Sequence, residues 1–136
     1  MSSILPIALS GMIAATQRFD VAASNIANAQ SDGPLPSAGA AIQDQYPPAY
    51  AAEQVNQVAM TDGSTRAIVS NVQPATVTAY DPTAPYADPN GLVAAPNVDF
   101  TNEAAQLVAA RYDFAMNVQV MHVASQMFKS LLDTMT

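Results

Sequence analysis

The sequence predicts a mainly α-helical fold whose two long terminal helices pack as an antiparallel, coiled-coil-like pair. Near the N-terminus, large apolar residues recur at intervals of seven, and they are Leu5, Met12, Phe19 and Ile26. Near the C-terminus the same interval relates Leu107, Phe114, Met121, Phe128 and Met135. Between these segments lie nine of the ten prolines. Because a sevenfold repeat forms one apolar stripe on a helix, each stripe must be covered, and the other helix is the nearest partner.

The N-terminal segment, residues 1–30, predicts a helix over about residues 4–29. Pro6 falls in its first turn, where a missing N–H costs little, and Ser2 or Ser3 can cap it. Alanine follows each large residue of the stripe three positions later, at Ala8, Ala15, Ala22 and Ala29. Short side chains on this edge allow a partner helix to approach closely. Such packing is a reason to keep Gly11, which costs about 1 kcal/mol inside a helix.

The middle region, residues 31–100, predicts loops around a small β-hairpin. Residues 31–52 are rich in proline, glycine and serine and indicate an irregular loop. Residues 54–60 and 65–72 flank Asp62-Gly63, a pair that favours a tight hairpin turn. Residues 75–80 alternate weakly and are a candidate third strand. Residues 81–97 are again proline-rich and are expected to form a loop.

The C-terminal segment, residues 101–136, predicts a helix over about residues 102–133. Asp99 or Thr101 can cap its N-terminus, and Glu103 suits the first turn. Val118 widens its apolar stripe. The two helices and the middle region together make one domain, as expected for 136 residues.

Composition argues against nucleic-acid binding, metal sites and enzyme activity. The net charge is −7, and the four basic residues are scattered, so no basic patch for nucleic acid can form. The chain has no cysteine, and His122 is its only histidine, which excludes the usual sulfur and histidine metal sites. The loop from Asp81 to Gly91 lacks the ligand alternation of a calcium loop. We therefore expect no cofactor, metal or small-molecule substrate.

Export and membrane signals are also informative. The sequence has no run of 18 apolar residues, so no transmembrane helix is predicted. The apolar segment 4–15 resembles the core of a signal peptide, but no Lys or Arg precedes it. Its repeat continues unbroken to Ile26, so cleavage would cut a helix. We therefore expect no cleaved signal peptide.

Two asparagines late in the first helix allow two interpretations. Asn25 and Asn28 can mark the helix C-terminus, since asparagine favours caps and turns. Alternatively, they hydrogen-bond to a neighbouring chain.

Both helices carry apolar residues off their stripes, and two helices alone cannot cover all of them. The pattern favours an assembly subunit; the alternative is a soluble helical-hairpin adapter or export-associated binding module.

The motifs resemble a known family. Ala8-Leu9-Ser10-Gly11-Met12 and residues 18–28 are similar to the N-terminal signature of bacterial flagellar rod and hook proteins. Three later motifs resemble the region before the last helix in proximal rod proteins of the FlgC type. They are Tyr80-Asp81-Pro82, Asp88-Pro89-Asn90-Gly91 and Pro96-Asn97-Val98-Asp99. The match continues with Glu103, Ala110-Arg111-Tyr112 and Asn117-Val118-Gln119-Val120. Residues 31–52 lack the basic segment usual in the family, which leaves room for a divergent paralogue.

The resemblance implies a structural subunit of the flagellar proximal rod, the drive shaft that transmits torque across the periplasm. It implies export through the flagellar type III apparatus without a cleaved signal. The implied neighbours are other rod proteins, the MS ring and its rod adapter protein, in homo- and hetero-oligomeric contacts. The residues expected to pack in assembly are the stripe residues together with Val118, Asn25, Asn28 and Asn97.

Overall fold

The computed structural model describes residues 4–36 and 45–135. The elements, in chain order, are α1 (Ile4–Asn28), β1 (Glu53–Ala59), β2 (Thr65–Asn71), β3 (Thr76–Tyr80), β4 (Leu92–Pro96) and α2 (Phe100–Met135). The proposed caps Ser2 and Ser3, and part of the predicted loop 31–52, lie outside the described residues. Within the described part, neither helix is both long and apolar enough to cross a membrane.

Both terminal helices are confirmed, and each begins and ends within two residues of its predicted limits. Pro6 is the third residue of α1, where its missing N–H costs no hydrogen bond. Asp99 caps α2: its Oδ1 accepts hydrogen bonds from the backbone N–H groups of Thr101 and Asn102, at 2.9 and 3.2 Å. The local signals at the helix ends were therefore sufficient to place them.

The predicted hairpin is also confirmed. β1 and β2 pair antiparallel from Glu53 opposite Asn71 to Ala59 opposite Thr65. Asp62 stabilises the turn by accepting hydrogen bonds from the Ser64 backbone N–H and hydroxyl, at 2.9 and 2.6 Å.

This first hairpin lies along α1. The start of β1 contacts Asn25, and at the other end the Thr65 N–H donates to the Ser10 hydroxyl at 3.1 Å. The distance along α1 between these two contacts, from Ser10 to Asn25, matches the length of β1. Fifteen helical residues cover about 22 Å and seven strand residues about 23 Å.

The expectation for residues 75–97 needs a correction. Residues 76–80 do form a strand, β3, but it pairs with β4 in a second two-stranded sheet instead of extending the first hairpin. β4 was missed because Leu92-Val93-Ala94-Ala95-Pro96 contains proline and two alanines, which rarely indicate a strand.

Non-local contacts stabilise β4. Ala94 exchanges two backbone hydrogen bonds of 2.9 Å with Gly33, and Val93 is fully buried. On its other side, Gly33 lies against the backbone of residues 47–49. A Cβ on Gly33 would clash with the Ala49 backbone nitrogen, so only glycine fits between β4 and this segment.

The core between the helices is built from small residues. The buried helical apolar residues are all alanines, namely Ala8, Ala14, Ala15, Ala22, Ala110 and Ala124. The large stripe residues lie beside this row: Leu5, Met12, Ile26, Leu107, Met121 and Phe128 are half-buried. Phe19, Phe114 and Val118 are 42% to 44% exposed. The closest approach of the helices therefore follows the alanine edge, because short side chains allow it, and the bulky stripe flanks it.

Candidate functional site

The inner faces of α1 and α2 meet through three polar contacts that follow one another along the helix pair. On α1 they involve Gly11, Arg18 and Asn25, which are seven residues apart. Their order on α2 is reversed, so the two helices run antiparallel. We call these contacts the three polar layers.

The middle polar layer contains an ion pair. Arg18 Nη1 donates to Asp113 Oδ2 at 2.6 Å, and Arg18 Nη2 donates to Gln106 Oε1 at 2.9 Å. Arg18 is the only basic residue of α1, and its side chain is 20% exposed against 49% for Asp113. One guanidinium thus connects two residues of α2 that are two helical turns apart.

The first polar layer depends on close approach. A Cβ on Gly11 would lie 2.5 Å from Asn117 Oδ1 and 2.8 Å from both Cγ and Nδ2. Asn117 is held in this position because its Nδ2 donates to the Asp113 carbonyl at 2.8 Å. The predicted packing role of Gly11 therefore has a specific partner, the Asn117 carboxamide.

The third polar layer centres on Asn25, which is 1% exposed. Its Nδ2 donates to the Glu53 carbonyl at 2.7 Å and to Glu103 Oε1 at 2.9 Å. Its Oδ1 accepts from the Glu53 N–H at 3.0 Å and from the Tyr50 hydroxyl at 3.1 Å. All hydrogen-bonding capacity of the amide is used within the chain. Within the chain, Asn25 therefore joins α1, the start of β1 and α2.

Asn28 and Asn97 have local roles. Asn28 Nδ2 donates to the Ser24 carbonyl at 2.9 Å in the last turn of α1, and the Asn28 carbonyl accepts from the Ser31 N–H. This is the helix-end interpretation. Asn97 Nδ2 donates to the Pro74 carbonyl at 2.9 Å, and its N–H donates to the Ala75 carbonyl at 3.0 Å. Asn97 thus holds the end of β4 against the segment before β3.

The outer faces of the helices are apolar and exposed. On α1 this face includes Leu9 and Ile13. On α2 the exposed apolar residues include Val108, Tyr112, Met116, Val120, Val123, Met127, Leu131 and Leu132. An open apolar cleft of about 520 Å³ lies where Ile4 meets α2 beside Met116 and Met127. A smaller cleft of about 200 Å³ lies between Phe19 and Phe114.

Asp81 and Asp88, two carboxylates between β3 and β4, stabilise turns. Asp88 Oδ1 accepts from the N–H groups of Leu92 and Asn90, both at 2.8 Å, and the first of these bonds does most to lower the Asp88 pKa. The Thr83 hydroxyl and N–H likewise lower the pKa of Asp81. No group of three or more potential metal ligands occurs among residues 4–36 and 45–135.

Comparison with known proteins gives a direct result. Residues 5–34 match the family "Flagella basal body rod protein", and residues 90–134 match "Flagellar basal body rod FlgEFG protein C-terminal". The chain is 38% identical to the flagellar basal-body rod protein FlgC of Escherichia coli O6:H1 over 133 residues, covering 95% of this chain and 94% of that protein. It is 36% identical to FlgC of Salmonella typhimurium over 139 residues, with the same coverage.

The chain belongs to the FlgC family of flagellar basal-body rod proteins. It is a structural subunit of the basal-body rod, and the adapter alternative is not favoured. The two matched segments of this FlgC-family chain contain α1 with Gly33, and Gly91 with β4 and α2. These are the segments that meet at Asn25 and at the Gly33–Ala94 bridge, whereas the first hairpin lies outside both.

Sequence reasoning missed several members of the site. Glu103 was predicted as a first-turn residue and, like Asn117, as part of the family resemblance, but neither was predicted to contact α1; Gln106 and Asp113 were not singled out. A signal was present: Glu103, Ala110, Asn117 and Ala124 share one heptad position. On α2 the prediction rested on the apolar stripe, so this repeat of polar and small residues was not used.

Proposed function

We propose that this rod subunit polymerises through the outer faces of α1 and α2, and that torque passes between subunits through those helix contacts. The observation that supports this most strongly is the exposed apolar surface along both helices. Met116 alone is 68% exposed. Apolar surface on this scale on a soluble chain usually marks an interface.

The proposed role also explains the inner faces. We propose that α1 and α2 form an antiparallel, coiled-coil-like pair inside each subunit, since their contacts recur every seven residues. The polar and alanine inner faces keep the pair together. The bulky residues Phe19, Phe114 and Val118 then lie at the flanks, where a neighbouring subunit can cover them.

The partners follow from the family resemblance. We expect other rod proteins as direct neighbours, the MS ring and its adapter protein at the base of a periplasmic rod, and the flagellar type III apparatus as the export route. Asn25 and Asn97 support assembly indirectly, because they fix the position of each helix. Further proposed packing contacts are the half-buried stripe residues, which lie beside the flank residues Phe19, Phe114 and Val118. They are Leu5, Met12, Ile26, Leu107, Met121 and Phe128.

Assembly can be tested in the parent bacterium by replacing its own copy with variants. Met116→Glu places a charge on the exposed face of α2. Its matched control is Tyr80→Glu, which charges a residue that is 72% exposed on β3. We expect Met116→Glu to be depleted roughly tenfold from detergent-washed basal bodies and to abolish swimming, because one buried charge is costly at an interface. The Tyr80 variant should be retained.

The controls separate assembly from export and folding. Circular dichroism of the purified variants checks helix content, and their periplasmic levels check export. Equal retention of both variants, or absence of the wild-type protein from washed basal bodies, would contradict the proposal. The second outcome is the one that an adapter would give.

A second test compares the dilute subunit with the rod. If the outer faces need neighbours, the terminal helices should exchange their amide hydrogens much faster in a dilute monomer than in isolated basal bodies. Full protection of both helices in the dilute monomer would show that they do not need neighbours.

A further inference from the structure

The alanine rows hold the helices together but do not specify how far one helix is shifted along the other. Ala8, Ala15 and Ala22 recur every seven residues on α1, and all are almost fully buried. A shift by one heptad moves α2 by about 10.5 Å, and brings Ala110 beside another alanine of the row. Packing of short side chains therefore changes little between one register and the next.

The three polar layers, in contrast, differ chemically from one another. Gly11 accommodates the Asn117 side chain, Arg18 pairs with Asp113 and Gln106, and Asn25 donates to Glu103. The Arg18 and Asn25 layers each have partners that only one register supplies in full, and Gly11 leaves the room that the Asn117 side chain occupies in that register. A polar group inside a helix pair is known to fix register in this way.

We infer that the three polar layers set the axial register of α1 against α2, a specificity that the alanine rows cannot provide. This inference concerns contacts within one chain and does not depend on assembly into the rod. It goes beyond the proposed function because it assigns Gly11, Arg18 and Asn25 to register instead of to contacts between subunits.

The two shifted registers illustrate the specificity. In one, Asn25 faces Ala110 and loses the Glu103 acceptor, which leaves a buried amide N–H without its partner on α2. In the other, Asn25 lies beyond Phe100, where α2 begins, and Gly11 faces Ala110. Both shifts therefore disrupt the most deeply buried polar layer.

The absence of natural cysteines allows a direct test by disulfide trapping. In the full-length chain, Ala110→Cys is combined with one of three substitutions on α1: Ala8→Cys, Ala15→Cys or Ala22→Cys. Ala15 and Ala110 line one cleft, so this pair reports the observed register. The other two pairs lie about two helical turns apart and report the shifted registers, because a disulfide needs Cα atoms closer than about 7 Å.

We expect the Ala15→Cys/Ala110→Cys pair to oxidise within one chain at least about tenfold more completely than either shifted pair, as the loss of one buried hydrogen-bond partner implies. Non-reducing electrophoresis separates the intrachain product from covalent dimers, and mass spectrometry identifies the bridge. Equal yields from the three pairs would overturn the inference.

Charge exchange then tests whether the middle layer contributes. Arg18→Asp faces Asp113 with a second carboxylate, and should lower the yield of the observed-register pair about tenfold relative to the shifted pairs. The double variant Arg18→Asp/Asp113→Arg should restore it. Arg66→Asp makes the same charge change on exposed β2 and should have no effect.

Each outcome of this second test is decisive. If Arg18→Asp leaves the yields unchanged, or if the exchanged pair fails to restore them while Arg66→Asp behaves as wild type, Arg18 does not set register. If Arg18→Asp alone unfolds the chain, circular dichroism will show it, and recovery in the double variant still decides the question.

Discussion

The two ends of α2 differ in how the chain surrounds them. At the N-terminal end, which we call the closed end, Glu103 meets Asn25 and the nearby strand β4 is buried against Gly33. At the C-terminal end, the open end, residues 129–134 are all exposed, including Leu132 at 66%. The same helix is thus hydrogen-bonded to α1 at one end, whereas Leu131 and Leu132 are exposed at the other.

This difference separates contacts that make the subunit from surfaces available to its neighbours. At the closed end the amide of Asn25 is fully paired within the chain, and no buried side-chain nitrogen or oxygen of the described residues lacks a partner. The open end has the opposite character, because its exposed apolar residues gain from being covered. A rod subunit needs both properties, since it must fold as a unit and also polymerise.

The largest expected effect on the closed end comes from Asn25→Ala. The substitution removes four hydrogen bonds and leaves the Glu53 backbone groups without their partner, while the Tyr50 hydroxyl keeps only its bond with the Ser24 hydroxyl. We expect a loss of about 3 kcal/mol in the free energy of unfolding, measured by chemical denaturation of the purified chain. Asn28→Ala is the matched control and should cost less than about 1 kcal/mol, because its amide bonds only to Ser24 and Ser31, which are within four residues of it. Similar losses would show that Asn25 is not the central contact.

Gly33→Ala tests the backbone approach at the same end. The added Cβ would clash with the Ala49 backbone nitrogen. Either the segment 47–49 or residue 33, which is hydrogen-bonded to Ala94 of β4, would have to move. We expect a loss of about 2 kcal/mol, within the range for overpacked sites. Faster hydrogen exchange at the Ala94 N–H would locate the damage; wild-type exchange and stability would contradict the close approach.

Acid should weaken the two-stranded sheet of β3 and β4, which connects to the closed end through β4. Hydrogen bonds from Leu92 and Asn90 lower the Asp88 pKa below its ordinary value of 3.8. A lowered folded-state pKa contributes stability above about pH 4, and this contribution is lost as the pH falls below that value. After correction for the intrinsic slowing of base-catalysed exchange at lower pH, the protection factors of the amides in residues 88–92 should therefore fall between pH 5 and pH 3. Asp88→Asn should remove that fall, and an unchanged pH dependence of the protection factors in the variant would refute its origin in Asp88.

The smallest effect on stability is expected at the open end. Leu132→Glu replaces an exposed side chain and should change the free energy of unfolding by less than about 0.5 kcal/mol. Its incorporation into basal bodies should nevertheless fall, if the open end is an assembly surface. A loss of more than about 1 kcal/mol in the isolated chain would mean that Leu132 packs within the subunit.

The local features could be predicted well from the sequence. Apolar periodicity, Pro6 and Asp99 located both helices, and Asp62-Gly63 located the first hairpin. These signals act over a few residues, so no knowledge of distant contacts was needed. β4 was missed because its stability comes from Gly33 and β3, which are far away in the sequence, and not from its own composition.

The site shows the same division. Asn25 was singled out from the sequence, but its role was not found, because Glu53, Tyr50 and Glu103 become neighbours only when three segments meet. Arg18 and Asp113 are separated by 95 residues. No spacing rule relates them.

The sequence by itself determined that this chain has two long helices with sevenfold apolar stripes around a turn-rich middle, because helix period and turn chemistry are local properties. Only the tertiary structure decided which edge of each helix faces inward. The alanine edge does so, because close approach requires short side chains and the polar residues beside it find partners there. The large stripe residues are thereby left at the flanks.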